Sequence, residues 1–160
     1  MTNNDIIRRL RYSFNLNDDT MIKLFALANL KVTREQVSNW LKKDEDPTFK
    51  EIYDVELATF LNGFITYKRG VQENKKTINE KKLNNNTILR KLKIALNLKD
   101  TDMLEIFYLA NIIISKSELS AFFRKPSQNQ YKVCKDQFLR NFIHGLQIKY
   151  RKKIWLPNKK

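Results

Sequence analysis

Apolar positions recur at three- and four-residue spacing along most of the chain, which is the period of an α-helix and not of a strand. Ile6, Ile7, Leu10 and Phe14 form one stripe, and Met21, Leu24, Phe25 and Ala28 form the next. A third helix is predicted from Thr33. Its hydroxyl can accept from the free amides of the first turn while Gln36 reaches back to the cap backbone, and the helix turns Val37, Trp40 and Leu41 inward. After an irregular polar segment, Asp54 is expected to cap a fourth helix that buries Leu57, Phe60, Leu61 and Phe64.

The pattern is then written a second time. A shift of 82 positions brings Asn4, Ile6, Arg8 and Leu10 onto Asn86, Ile88, Arg90 and Leu92 without a gap. Phe25, Leu27, Ala28 and Asn29 fall on Phe107, Leu109, Ala110 and Asn111, and Asp54, Leu57, Phe60 and Gly63 on Asp136, Leu139, Phe142 and Gly145. About twenty identities over roughly 66 positions at one offset mark a tandem duplication. Ser115 and Glu118 repeat the capping box ahead of Leu119, Phe122 and Phe123, and Asp136 is expected to cap the helix bearing Leu139, Phe142, Ile143 and Leu146. Asn29 and Asn111 read as helix C-terminal residues, where asparagine tolerates left-handed geometry. The expected architecture is all-α: two tandem homologous four-helix units at 1–70 and 86–153, packed pseudo-symmetrically, a polar linker at 71–85, and a tail, IWLPNKK, at 154–160.

Composition narrows the function classes. A chain of 160 residues with 42% hydrophobic and 30% charged residues has enough apolar surface to fold, and is too short for most large catalytic scaffolds. Three glycines leave little material for phosphate-cradling glycine loops. One cysteine, Cys134, excludes an internal disulfide framework and a multi-thiolate zinc site, and fits a reducing, cytoplasmic setting. The N-terminal MTNNDIIRRLRYSF lacks an apolar secretion core, and no apolar run approaches the roughly 20 residues of a membrane span, so neither secretion nor a membrane is expected.

Charge is the most informative signal. The formal net charge is +14, which points to a polyanionic partner. It is unevenly distributed: residues 1–70 hold 11 Lys and Arg against 10 Asp and Glu, whereas residues 86–153 hold 14 against 5. The halves have therefore diverged to net charges of +1 and +9. The candidate nucleic-acid-binding surface begins with Lys116, Arg124, Lys125, Lys132 and Lys135 on the third helix of the second unit and beyond. It continues with Arg140, Lys149, Arg151, Lys152 and Lys153. Such residues neutralise phosphates, and the interleaved Tyr131 and Tyr150 are candidates to stack on unpaired bases, while Phe122 and Phe123 are expected in the core. LANIIISKSELSAFFRK also has the order of a helix-turn-helix.

The strings LNNNTILRKLKIALNLKD, ISKSELSAFFRKP and CKDQFLRNFIHGLQIKYR resemble the YehS family of bacterial proteins, as do RRLRYSFNLNDD, VSNWLKK and FLNGFITYKRG in the first unit. The resemblance covers residues 1 to about 153 and leaves IWLPNKK outside it. It implies two repeats of an all-helical domain of unknown function, and it carries no catalytic or binding residue over to this chain.

Enzymatic constellations are sparse. His144 has no carboxylate or thiol partner at motif spacing and reads as structural, and Cys134 takes the slot of Ile52, as a buried, inert thiol would. The acidic run Asp44, Glu45, Asp46 lacks the alternating ligands and glycine of a calcium loop and reads as a solvated turn. The expectation is a protein without cofactor or metal and not an enzyme, which binds DNA or RNA through its basic second unit. The alternative is a protein-interaction adaptor with no nucleic-acid ligand. The sequence does not fix the oligomeric state.

Overall fold

The computed structural model describes residues 1–72 and 77–151, and its first three helices start where a local capping signal lies. Thr2 caps α1 (Asn3–Ser13) and exchanges hydrogen bonds with Asp5, and Asn17 caps α2 (Asp18–Leu27) by accepting from the Thr20 amide at 2.8 Å. The Thr33–Gln36 box opens α3 (Arg34–Leu41), with the Gln36 amide on the Thr33 hydroxyl at 3.1 Å and the Thr33 amide on Gln36 at 2.8 Å. The fourth helix, α4, runs from Asp54 to Arg69 (Asp54–Arg69) and ends at Gly70, whose φ of 88° suits a residue without Cβ.

The second unit follows at the same offset: α5 (Asn85–Ala95), α6 (Asp100–Leu109), α7 (Lys116–Phe122) and α8 (Asp136–Leu146), the last widening into one π-helical stretch (Gln147–Arg151). Ser115 and Glu118 form the box at α7 as Thr33 and Gln36 do at α3. Among the described residues the structure is helical with no strand, as the periodicity predicts. Asn29 and Asn111 take the left-handed conformation expected of them (φ 69° and 63°), and Asn15 and Asn97 do the same one helix earlier (φ 51° and 52°).

One sequence expectation is corrected. Asp54 and Asp136 are not caps but the first helical residues, preceded by Tyr53 and Lys135 in the cap position. Their carboxylates face the start of the first helix of each unit: the Asn3 amide donates to Asp54 at 2.7 Å, and the Asn85 amide to Asp136 at 2.7 Å. This bond holds the Asp136 carboxyl below the usual carboxylate range.

The chain divides into two compact units, the first spanning Met1–Leu83 and the second starting at Asn84. In unit 1, α2 packs along α4, with Phe25 against Trp40 and Phe60 at ring separations of 5.3 and 5.7 Å. In unit 2, α6 packs along α8 and the equivalent pair, Phe107 and Phe142, stands at 5.1 Å. Matched slots are buried together: Leu10 with Leu92, Trp40 with Phe122, and Phe60 with Phe142. The described end of the stretch read as a linker belongs to unit 1. Asn62 donates to the Ile78 carbonyl, Asn79 donates to the Ala28 carbonyl at 2.9 Å, and the Leu83 amide donates to Asp54. The second unit takes its own N-cap from Asn84.

Candidate nucleic-acid interface

The first of the residues expected to meet a polyanion, Lys116, Arg124, Lys125, Tyr131, Lys132 and Lys135, sit on α7 and on the long α7–α8 connection, which has no helix of its own to hold it. A buried amide does this instead. Asn86 on α5 donates to the carbonyls of Phe122 (3.0 Å) and Lys132 (2.8 Å) and accepts from the Cys134 amide (2.9 Å). Both ends of the connection are thus tied to α5, and Arg90 adds a bond to the Phe123 carbonyl at 3.0 Å. Asn4 holds unit 1 in the same way, through Trp40, Lys50 and Ile52.

On this frame an open cavity of about 460 Å³ forms, lined by Asp100, Lys116, Ser117, Ser120, Arg124 and Gln130. It brings together two of the predicted cations, Lys116 and Arg124. Neither makes a side-chain hydrogen bond or ion pair among the described residues. Asp100, the one acid in the lining, is already matched by Lys93 at 3.2 Å.

The counterpart positions in unit 1 are occupied differently. Arg34, in the slot of Lys116, pairs with Asp19 at 2.5 Å and Asp18 at 3.4 Å, and Asp19 above all raises its pKa. Lys42, in the slot of Arg124, donates to Asn39 and Thr48. Unit 2 has Thr101 where unit 1 has Asp19, and Ser117 where it has Glu35. Pro126, Ser127 and Gln128 replace the acidic Asp44, Glu45 and Asp46. The duplicated site keeps its cations and Asp100, the counterpart of Asp18, and has lost the acids at the slots of Asp19 and Glu35.

The other predicted residues are spread more widely. Lys125 is exposed beside Arg124, and Lys135 is exposed at the start of α8. Lys132 is partly committed: it pairs with Glu118 at 3.7 Å and lies over the Phe138 ring at 5.1 Å. Arg140 donates to Gln137 on its own helix at 2.9 Å. Lys149 and Arg151 lie on the π-helical stretch, where Tyr150 is half-buried and burial raises the pKa of its phenol, with Asp102 adding to the effect. Tyr131 is half-exposed on the α7–α8 connection, Phe122 is fully buried, and Phe123 is partly exposed beneath Lys93. Lys152 and Lys153 lie outside the described residues. The helix expected to enter a groove, α7, has seven residues, and its exposed positions include Lys116, Ser117 and Ser120. Ser117, Ser120, Gln130 and Asp100 join the site only in the structure. Only Ser117 carries a sequence signal, as a neutral residue in the slot of Glu35; Ser120 and Gln130 match the neutral Ser38 and Thr48, and Asp100 matches Asp18.

Cys134 is buried, and burial pushes its thiol up to about 12, which removes the thiolate needed for nucleophilic work at neutral pH. His144 is exposed on the last turn of α8. Among the described residues there is no cluster of three His, Cys, Asp or Glu able to hold a metal ion, and no helix is long and apolar enough to cross a membrane.

These observations define an all-α tandem duplication in which Lys116 and Arg124 of the second copy have no side-chain partner among the described residues. The chain belongs to the family described as Protein of unknown function (DUF1456), whose model matches it twice, at residues 3–70 and 85–152, in register with the two helical units. It is similar to "Uncharacterized protein YehS" of Escherichia coli (strain K12), with 39% identity over 147 residues, covering 91% of this chain and 94% of that protein. No solved structure matches it.

Proposed function

We propose that the chain is a nucleic-acid-binding protein that acts through its second unit, reading phosphates rather than base sequence. One observation carries this reading. Lys116 and Arg124 have no side-chain partner among the described residues, while Arg34 and Lys42, the cations in the matching slots of unit 1, are engaged by Asp18, Asp19, Asn39 and Thr48. Exposed cations left unpaired in a folded domain repel one another unless an outside anion meets them. Phosphates are such anions, and their neutralisation releases counterions.

Fluorescence anisotropy of the full chain against labelled single- and double-stranded DNA and RNA tests this. Affinity is expected to fall with salt along a log–log slope of about −0.7 to −0.9 per phosphate contacted. Changing Lys116, Arg124 and Lys125 together to glutamine should weaken binding and flatten the slope more than the same change at Arg34, Lys42 and Lys43. Equal effects of the two triple changes, or no binding at low salt, would refute the reading.

The adaptor alternative has its own observation. At the end of α6 and in the turn after it, the apolar side chains of Tyr108 and Ile113 are 62% and 89% exposed, within reach of a partner surface. A pull-down that retains the same protein partner after nuclease treatment would favour that reading.

A further inference from the structure

We propose that the cavity beside α7 is a nucleotide subsite, in which Lys116 and Arg124 hold a phosphate and Asp100 and Gln130 hydrogen-bond the attached nucleoside. The inference rests on the nucleic-acid reading above and specifies the chemical unit that the second domain takes.

The lining chemistry selects the ligand. Lys116 and Arg124 have no side-chain partner among the described residues, and a guanidinium can meet two phosphate oxygens at once. Ser117 and Ser120 are exposed on the same wall and offer hydroxyl donors to the same anion. A bare anion does not explain Asp100. Lys93 meets one oxygen of its carboxylate, at 3.2 Å, and the second oxygen is left to accept from an N–H or O–H. Gln130 can both donate and accept. The complementary ligand therefore carries an anion together with hydrogen-bond donors. A nucleotide has both, in its phosphate and in its base amines or sugar hydroxyls, whereas inorganic phosphate lacks the second part. The cavity of about 460 Å³ is larger than a phosphate needs and lies within the roughly 300–1,000 Å³ of small-ligand sites.

Unit 1 provides an internal comparison. The six matching positions are Asp18, Arg34, Glu35, Ser38, Lys42 and Thr48, two cations against two acids, with Asp19 adding a third acid on Arg34. There Arg34 is met by two carboxylates and Lys42 by the side chains of Asn39 and Thr48. In unit 2 the matching cations are left for a ligand to meet.

The test is calorimetric titration of the full chain with the four nucleoside 5′-monophosphates, the matching nucleosides and inorganic phosphate, alongside the strand-binding measurement. At least one nucleoside monophosphate is expected to bind about tenfold or more tightly than inorganic phosphate, and the nucleosides weakly. Changing Lys116 and Arg124 together to glutamine should lower nucleotide affinity by about tenfold or more. Lys116 is exposed and Arg124 half-exposed, and neither has a side-chain partner among the described residues, so the melting temperature should hold and serve as the folding control. Asp100→Asn should shrink the preference for nucleotide over phosphate. Binding of inorganic phosphate as tightly as all four nucleotides, or an unchanged preference in the Asp100→Asn variant, overturns the nucleoside contact. If strands bind but nucleotides do not compete, the subsite is overturned and the nucleic-acid reading stands. If nucleotides bind and strands do not, the subsite stands and the strand-binding reading falls.

Discussion

Gly63 on α4 lies so close to Leu24 on α2 that a Cβ added to the glycine would stand 1.7 Å from the Leu24 carbonyl oxygen. Gly145 on α8 repeats the relationship with Ile106 on α6, at 2.1 Å. In each case the obstacle is backbone, which a rotamer change cannot move aside. The crossing of the second and fourth helices in each unit is set by a residue without a side chain.

Gly63→Ala and Gly145→Ala should therefore each destabilise the protein by roughly 1–3 kcal/mol, against a helix-propensity gain of about 1 kcal/mol for removing glycine. Urea unfolding followed by circular dichroism checks this. A midpoint at or above that of the parent protein would show that the helices part without cost.

Asn4 and Asn86 carry a comparable load through hydrogen bonds. Each buried amide serves three backbone groups on a connection with no regular structure of its own. Asn86→Ala should cost roughly 2–4 kcal/mol, because those groups lose their partner inside the fold. Asn86→Asp, of nearly the same shape, should cost as much or more, since a carboxylate oxygen would face the carbonyls of Phe122 and Lys132. Hydrogen exchange should show the Lys132 and Cys134 amides losing protection before the α8 amides do.

Much of this fold was legible because its signals are local. A T-x-x-Q or S-x-x-E string states where a helix starts, three- and four-residue spacing states which face is buried, and asparagine after a helix states a left-handed turn. The roles of Asn4 and Asn86 were not legible. Both appeared as matched identities, but a side chain reaching a carbonyl 46 residues away leaves no mark on its own neighbourhood. Asp54 and Asp136 misled for a related reason. They stand beside a helix start, as a cap would, yet their partners, Asn3 and Asn85, are 51 residues away. The charge contrast between the units was visible in a count. Which cations lack partners was not, because that depends on where Asp19 and Thr48 come to rest.

Cys134 gives a pH-dependent prediction. Burial raises its thiol from an ordinary 9.0 to about 12, so the folded chain holds a proton that the unfolded chain releases first. The contribution of the thiol is complete below about pH 9 and is lost as pH rises toward 12. The stability difference between the parent and Cys134→Ala should thus be constant from pH 6 to 8 and narrow above pH 9. Alkylation at pH 8 should be slow in the native protein and fast in urea. Rapid native alkylation would contradict a buried thiol.

The electrostatic divergence of the two units can be reversed by restoring the anions that unit 1 retains. Thr101→Asp and Ser117→Glu place acids in the slots of Asp19 and Glu35, the first of which pairs Arg34 in unit 1. Both positions lie in the first turn of a helix, α6 and α7, where an added negative charge favours the positive end of the helix dipole. The double variant should therefore fold with unchanged or slightly higher stability. Its Lys116 would gain an internal partner, and the cavity would lose its excess positive charge. Strand binding should weaken, and the salt slope should flatten by about one phosphate contact, or 0.7 to 0.9. Because stability is expected to hold or rise while binding weakens, a damaged fold cannot mimic the result. Binding that keeps its parental affinity and slope would mean that the phosphates are met elsewhere on the protein.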